Sequence, residues 1–128
     1  MPSGAVHIAV APDGALAISD TLNFRVQIFT ADGALLSSFG RAGDSAGAFA
    51  RPKGIAYDPR GRLYVADGGF DNVQIFDPEG RLLLTFGNPG RDAGEFNLPV
   101  GLILDADQTI WVADSYNGRV QAFRLLEK

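Results

Sequence analysis

Three aspartates, Asp20, Asp67 and Asp114, stand 47 residues apart, each closing a short apolar run and preceding a turn. Carboxylates at a fixed interval can do two kinds of chemistry. Gathered round a common axis, they could supply the oxygen ligands of a Ca²⁺ or Mg²⁺ ion, held at about 2.0–2.6 Å. Left in their own turns, they accept backbone N–H groups and pair with a nearby cation. Arg25 and Arg119 lie five residues beyond Asp20 and Asp114, so a local use is at hand and the expectation is a structural role with no metal. His7 is the only histidine. It falls near the start of a strand expected to line a central channel, but catalytic zinc commonly takes three protein ligands, and no metal or cofactor is expected there. Asp105-Ala106-Asp107 opens like a calcium loop and lacks the rest of that pattern, so it reads as a turn. The stretches Gly40-Arg41-Ala42-Gly43 and Gly87-Asn88-Pro89-Gly90 have no Lys-Ser/Thr and no following helix; they read as connections rather than phosphate cradles.

The elements that must position these residues come from a repeat. Arg25-Val26-Gln27-Ile28-Phe29 aligns with Asn72-Val73-Gln74-Ile75-Phe76 and with Arg119-Val120-Gln121-Ala122-Phe123, in the same 47-residue register as the aspartates and without insertions. Within one copy, Ile55–Asp58, Leu63–Asp67, Asn72–Phe76 and Arg81–Phe86 are short runs rich in β-branched, aromatic and other apolar residues. Pro59-Arg60-Gly61, Gly68-Gly69-Phe70-Asp71 and Pro78-Glu79-Gly80 supply the turns between them. The expectation is an all-β chain of four-stranded antiparallel meanders, apolar on both faces. Such sheets repeated at a period in the forties signal the blades of a β-propeller. The blades are expected at about 4–47, 48–94 and 95–128, with the third copy ending before its outer strand. Phe49 and Phe96 are expected to anchor the connections between blades.

The run Pro52-Lys53-Gly54-Ile55-Ala56-Tyr57-Asp58, then Gly61–Asp67, Val73–Asp77 and Phe86-Gly87 resembles an NHL repeat, and Trp111–Gln121 is closer still to that pattern. The likeness departs at Ala5-Val6-His7, which replaces the Pro-x-Gly of the other copies, and at Phe70-Asp71-Asn72, which replaces Asn-x-Arg. The resemblance implies a ring that generally closes with six blades. Similar propellers include an amidating lyase and enzymes like lactone hydrolases or strictosidine synthase, but no matching cluster of metal ligands is found in this sequence.

Composition narrows the partners. With 46% apolar against 20% charged residues, the 128-residue chain can bury a core as one domain. A net charge of −4 without a clustered Lys/Arg excess argues against nucleic acid. No apolar stretch approaches the roughly 20 residues that span a bilayer, and no membrane partner is expected. The absence of cysteine excludes disulfides, thiolate metal sites and a thiol nucleophile. Three blades leave two apolar faces open, so the expected partner is a second copy of the chain: a head-to-tail homodimer, blade 1 against blade 3, closing a six-bladed ring. The expected function is a non-enzymatic scaffold or binding module. Its recognition surface would be the turns after each second strand: Asn23, Phe24, Arg25, Phe70, Asp71, Asn72, Tyr116, Asn117 and Arg119. The alternative is a piece of a larger NHL-type propeller enzyme, a lyase or lactone-hydrolase-like protein with a channel site.

Overall fold

The computed structural model describes residues 6–43 and 47–126; the expectations that touch Glu127, Lys128 and the residues before Val6 lie outside them. Strands form where the sequence places β-branched and aromatic side chains, and glycines at positive φ turn the chain between them. Blade 1 comprises β1 (Val6–Val10), β2 (Leu16–Asp20), β3 (Arg25–Phe29) and β4 (Leu35–Phe39). Blade 2 comprises β5 (Pro52–Tyr57), β6 (Leu63–Asp67), β7 (Asn72–Phe76) and β8 (Leu82–Phe86). In the connection that follows, β9 (Asn88–Pro89) and β10 (Glu95–Phe96) pair in parallel, a small clasp that the glycine-rich sequence did not announce. Blade 3 comprises β11 (Pro99–Leu104), β12 (Ile110–Asp114) and β13 (Arg119–Phe123). Each blade is an antiparallel meander in chain order. Single 3-10 turns at Thr21–Asn23 and Ser115–Asn117 follow β2 and β12.

Alternation of side chains along a strand gives each sheet two faces, and in blade 2 both are buried. Ile55, Leu63, Val65 and Phe76 pack toward blade 1, against Ala17, Val26 and Phe49. Tyr64, Ala66, Val73 and Ile75 pack toward blade 3, against Leu102, Ile110 and Val112. All five residues of β6 are therefore buried. Phe39 at the end of β4 crosses to the next blade and stacks with Phe76 at 4.8 Å between ring centroids. Phe86 repeats this with Phe123 at 4.9 Å. Phe49 and Phe96 are fully buried beneath these rings, as expected of anchors.

Innermost strands β1, β5 and β11 pack side by side along the channel. Their approach is close at Gly54, where a Cβ would lie 2.3 Å from the carbonyl oxygen of Val100 and 3.1 Å from the Cα of Gly101. Because both obstacles are backbone, no side-chain rotation relieves the clash. Gly54→Ala is therefore expected to destabilise the fold by roughly 2 kcal/mol or more, the upper part of the range for overpacking a core. A urea titration with an unchanged m-value and a lowered midpoint checks this.

Candidate functional site

The three repeated aspartates sit at the same end of the blades, wholly buried at the close of each second strand. Each closes a turn. The carboxylate of Asp67 accepts the amides of Gly69 and Phe70 in its own turn and those of Ala50 and Arg51 in the chain entering its blade, at 2.8–3.1 Å. Asp114 accepts the amide of Asn97 at 2.7 Å, the Asn117 side chain at 2.9 Å and Arg119 Nε at 2.8 Å. Asp20 accepts Asn23 Nδ2 and Arg25 Nε, both at 3.0 Å. Arginine pairs with the carboxylate in blades 1 and 3, and in blade 2, where Asn72 stands at that position, backbone amides take its place. Burial pushes the Asp114 carboxyl up; the Asn117 and Arg119 side chains and the Asn97 amide outweigh it, and the pKa lies below the ordinary value.

In blades 2 and 3 the glutamine of the third strand also clamps the entering chain, which sequence reasoning missed although Val-Gln recurs in every copy. Gln74 Nε2 donates to Ala48 O at 3.0 Å. Gln121 Nε2 donates to Glu95 O at 2.7 Å and its Oε1 accepts the Gly94 amide at 3.0 Å. A further overlooked residue is the acid Asp58. Nearly buried, it accepts the Arg60 and Arg62 amides, Arg62 Nε at 2.5 Å and the Tyr64 hydroxyl at 3.0 Å. Asp105 repeats this arrangement with the Asp107 and Thr109 amides and Trp111 Nε1, so Asp105-Ala106-Asp107 is a turn. The sequence signal was an aspartate six residues before an aromatic, in copies two and three.

The turns singled out as a recognition surface divide into two sets. Most polar members are engaged in holding the fold: Asp71 accepts the Leu98 amide at 2.8 Å, Asn117 donates to Gly90 O at 2.9 Å, and Arg119 reaches the carbonyls of Asp92 and Glu95 at 2.9 Å. The aromatics stand clear of these bonds. Tyr116 is 76% and Phe24 37% exposed, and Phe70 is half-buried. Phe24, Asp71 and Gly118 are equivalent, and all three adopt left-handed backbone with φ of 58°, 58° and 62°. That conformation suits glycine and is costly for a bulky side chain, yet copy one carries phenylalanine there. At the channel wall, His7 is exposed, and its amide donates to Ser19 Oγ at 3.2 Å. Partial burial and then the charge of Lys53 hold its imidazole below the usual pKa. Among the described residues no group of three or more His, Asp or Glu is placed to hold a metal ion.

Stacked antiparallel meanders of four, four and three strands, with their first strands along a common channel, define the chain as a set of β-propeller blades. Residues 49–76 and 96–123 match the NHL repeat, so the second and third copies are NHL repeats. Solved structures similar to it include a streptogramin B lyase, 15% identical with a TM-score of 0.72 over 98% of this chain and 42% of that one. A catalytically inactive virginiamycin B lyase from Staphylococcus aureus, determined with quinupristin, is 14% identical with a TM-score of 0.69 over 98% of this chain and 43% of that one. A protein of unknown function from Bacteroides thetaiotaomicron is 20% identical with a TM-score of 0.73 over 92% of this chain and 36% of that one. These likenesses are of fold, and the chain spans less than half the length of each neighbour. No curated protein matches the sequence.

Two expectations follow from this geometry. A carboxylate whose folded pKa is depressed contributes stability at pH above its unfolded value, near about 4, and that contribution is lost as pH falls through the folded value. Stability should therefore drop below about pH 4, and in Asp114→Asn, which starts less stable, the acid limb of a pH series of urea midpoints should be shallower. At the strained turn, Phe24→Gly should stabilise the chain by about 1 kcal/mol, since glycine adopts left-handed backbone without the penalty. Thermal or urea unfolding reads that gain directly.

Proposed function

We propose that this protein is a non-enzymatic, self-assembling binding module in which two chains, head to tail, close a six-bladed ring. One observation carries the reading: positions buried between blades in the middle of the chain are open at its two ends. Ile55 is 7% exposed, whereas its equivalent in blade 1, Ile8, is 60% exposed. On the opposite face, Tyr64 and Val73 are 1% and 0% exposed, while their blade 3 equivalents, Trp111 and Val120, are 40% and 61% exposed. Ile103 adds a further 61%-exposed side chain to that face. Blade 1 thus presents the kind of face that blade 2 offers to blade 1, and blade 3 presents the kind that blade 2 offers to blade 3. The two ends are complementary, and a heterologous contact that recurs twice closes a ring.

Size supports the same arrangement, since two copies of a chain that covers 42% of one neighbour approach that neighbour's length. A stable interface needs roughly 1,000 Å², and the exposed Ile8, Ile103, Trp111 and Val120 side chains are apolar surface available for it. The non-enzymatic part of the reading rests on the carboxylates: Asp20, Asp58, Asp67, Asp105 and Asp114 are each tied to amides, hydroxyls, indole or arginine of their own blade, which leaves them poorly suited to acid–base work. Recognition falls to the turns after the second strands, through Phe24, Phe70 and Tyr116. The strain accepted at Phe24 favours a role for that ring beyond closing its turn. A second reading, favoured by the greater length of the neighbours, is that the chain is part of a larger propeller with a channel site.

Light scattering during size-exclusion chromatography, over a dilution series, separates the two. The ring gives a mass of twice 13.6 kDa, and Val120→Glu should shift the dissociation midpoint upward at least about tenfold by burying an unpaired charge at each seam. A folded monomer at all concentrations overturns the ring. A monomer that aggregates on concentration points to the larger propeller.

A further inference from the structure

We infer that the groove between blades 1 and 2, at the end away from the repeated aspartates, binds a small organic monocation: an aromatic ring on a short chain ending in ammonium. The same groove occurs twice in the chain. Between blades 2 and 3 it is lined by Asp58, Arg62, Asp107 and Arg124 among others, and measures about 290 Å³. Between blades 1 and 2 the equivalent positions are Ala11, Ala15, Arg60 and Asp77, and the groove measures about 400 Å³. The larger one falls within the range of small-molecule sites.

The difference begins in the sequence. Blade 2 supplies its own polar set, in which the Asp58 carboxylate accepts Arg62 Nε and the Tyr64 hydroxyl. Blade 1 carries Ala11, Ala15 and Ala17 at those three positions, so the guanidinium and the phenol are both missing. A negative charge is not missing. Asp13, two residues after Ala11, lines the wider groove and is exposed. Its Oδ1 accepts the Ala15 amide at 3.0 Å, and among the described residues it takes part in no ion pair.

Across the groove stands Tyr57 of β5, half-buried. Among the described residues its hydroxyl has no hydrogen-bond partner. Burial, and then the charge of Asp13, raise its pKa, so the phenol is protonated and the carboxylate lies near enough to act on it. Ile28, Leu36, Phe39 and Leu63 supply an apolar wall. The complement of this surface is what blade 1 lacks: a ring for the wall, and a cation for the Asp13 carboxylate and the Tyr57 ring. Arg60 on the rim opposes a second positive charge, and Asp77 already faces Arg81 at 2.8 Å, which limits the ligand to one. All lining residues lie between Ala11 and Gly80, inside one pair of blades, so the site is independent of ring closure.

Isothermal titration of the intact protein with phenethylamine tests the site. Expected is saturable binding with a Kd of about 1 mM or tighter, equal in the wild-type chain and in Val120→Glu whatever mass either shows. Asp13→Asn, which keeps an acceptor for the Ala15 amide, should weaken binding at least about fivefold. Ala11→Asp with Ala15→Arg, which gives blade 1 the pair found in blade 2, should abolish it, with a urea titration to verify folding. Phenylacetate, with its charge reversed, and ethylamine, with no ring, should each bind at least about tenfold more weakly. No saturable binding up to about 10 mM, unchanged affinity in Asp13→Asn, or equal affinity for phenylacetate or ethylamine would overturn the inference and leave the question of the ring untouched.

Discussion

A four-stranded meander whose strands are apolar on alternate sides and on both faces cannot bury itself. Each face removes its side chains from water only against the next blade, at roughly 25 cal/mol per Å² of apolar surface buried. The pairs Leu63 with Tyr64 and Val65 with Ala66 show the constraint at its strictest, because neighbours in sequence point into different cores. Everything else in the chain follows from it: the tight innermost packing at Gly54, the phenylalanine that each outer strand sends into the following blade, and the open faces at either end.

Apolar contact alone does not fix how one blade sits on another. The repeated polar clamp adds direction. In blades 2 and 3 an aspartate at the close of the second strand and a glutamine in the third hold the entering chain by its backbone, at donors and acceptors that burial would otherwise leave without partners. Ser19 Oγ and Thr21 Oγ1 extend the same logic between blades, donating to the carbonyls of Lys53 and Pro52 at 2.6 and 2.7 Å. A buried carboxylate that accepts several such bonds is part of the scaffold, and the regular series of aspartates serves the repeat in this way.

The fold was legible because it is periodic. A register held over Asp20, Asp67 and Asp114 gave the strands and their meander order, and the arginine five residues on gave the ion pairs. What escaped were features that depend on distance across blades. The β9–β10 clasp lies in a stretch whose glycines and prolines carry no strand pattern, and Asp58 looks like a turn residue until Tyr64 and Arg62 are seen to close over it. The candidate recognition turns were legible as positions. Their division into bonded polar groups and free aromatics was not, since the partners of Asp71 and Asn117 lie 27 residues away in sequence.

That division bears on how a repeat protein acquires a binding surface. Two positions of the third strand carry one residue type in every copy: Val26, Val73 and Val120, and Gln27, Gln74 and Gln121. The left-handed position after the second strand carries Phe24, Asp71 and Gly118 in the three copies with almost the same φ. The backbone there is dictated by the clamp beneath it, so the turn keeps its shape whatever side chain it bears, within the strain that side chain brings. Glycine alone satisfies the conformation without cost, and the aspartate of copy two recovers a bond to the next blade. The phenylalanine of copy one recovers neither, and its exposed ring is a property that the fold tolerates without requiring. Variation at a position of fixed geometry is what allows a rigid scaffold to differ from blade to blade in what it presents to solvent.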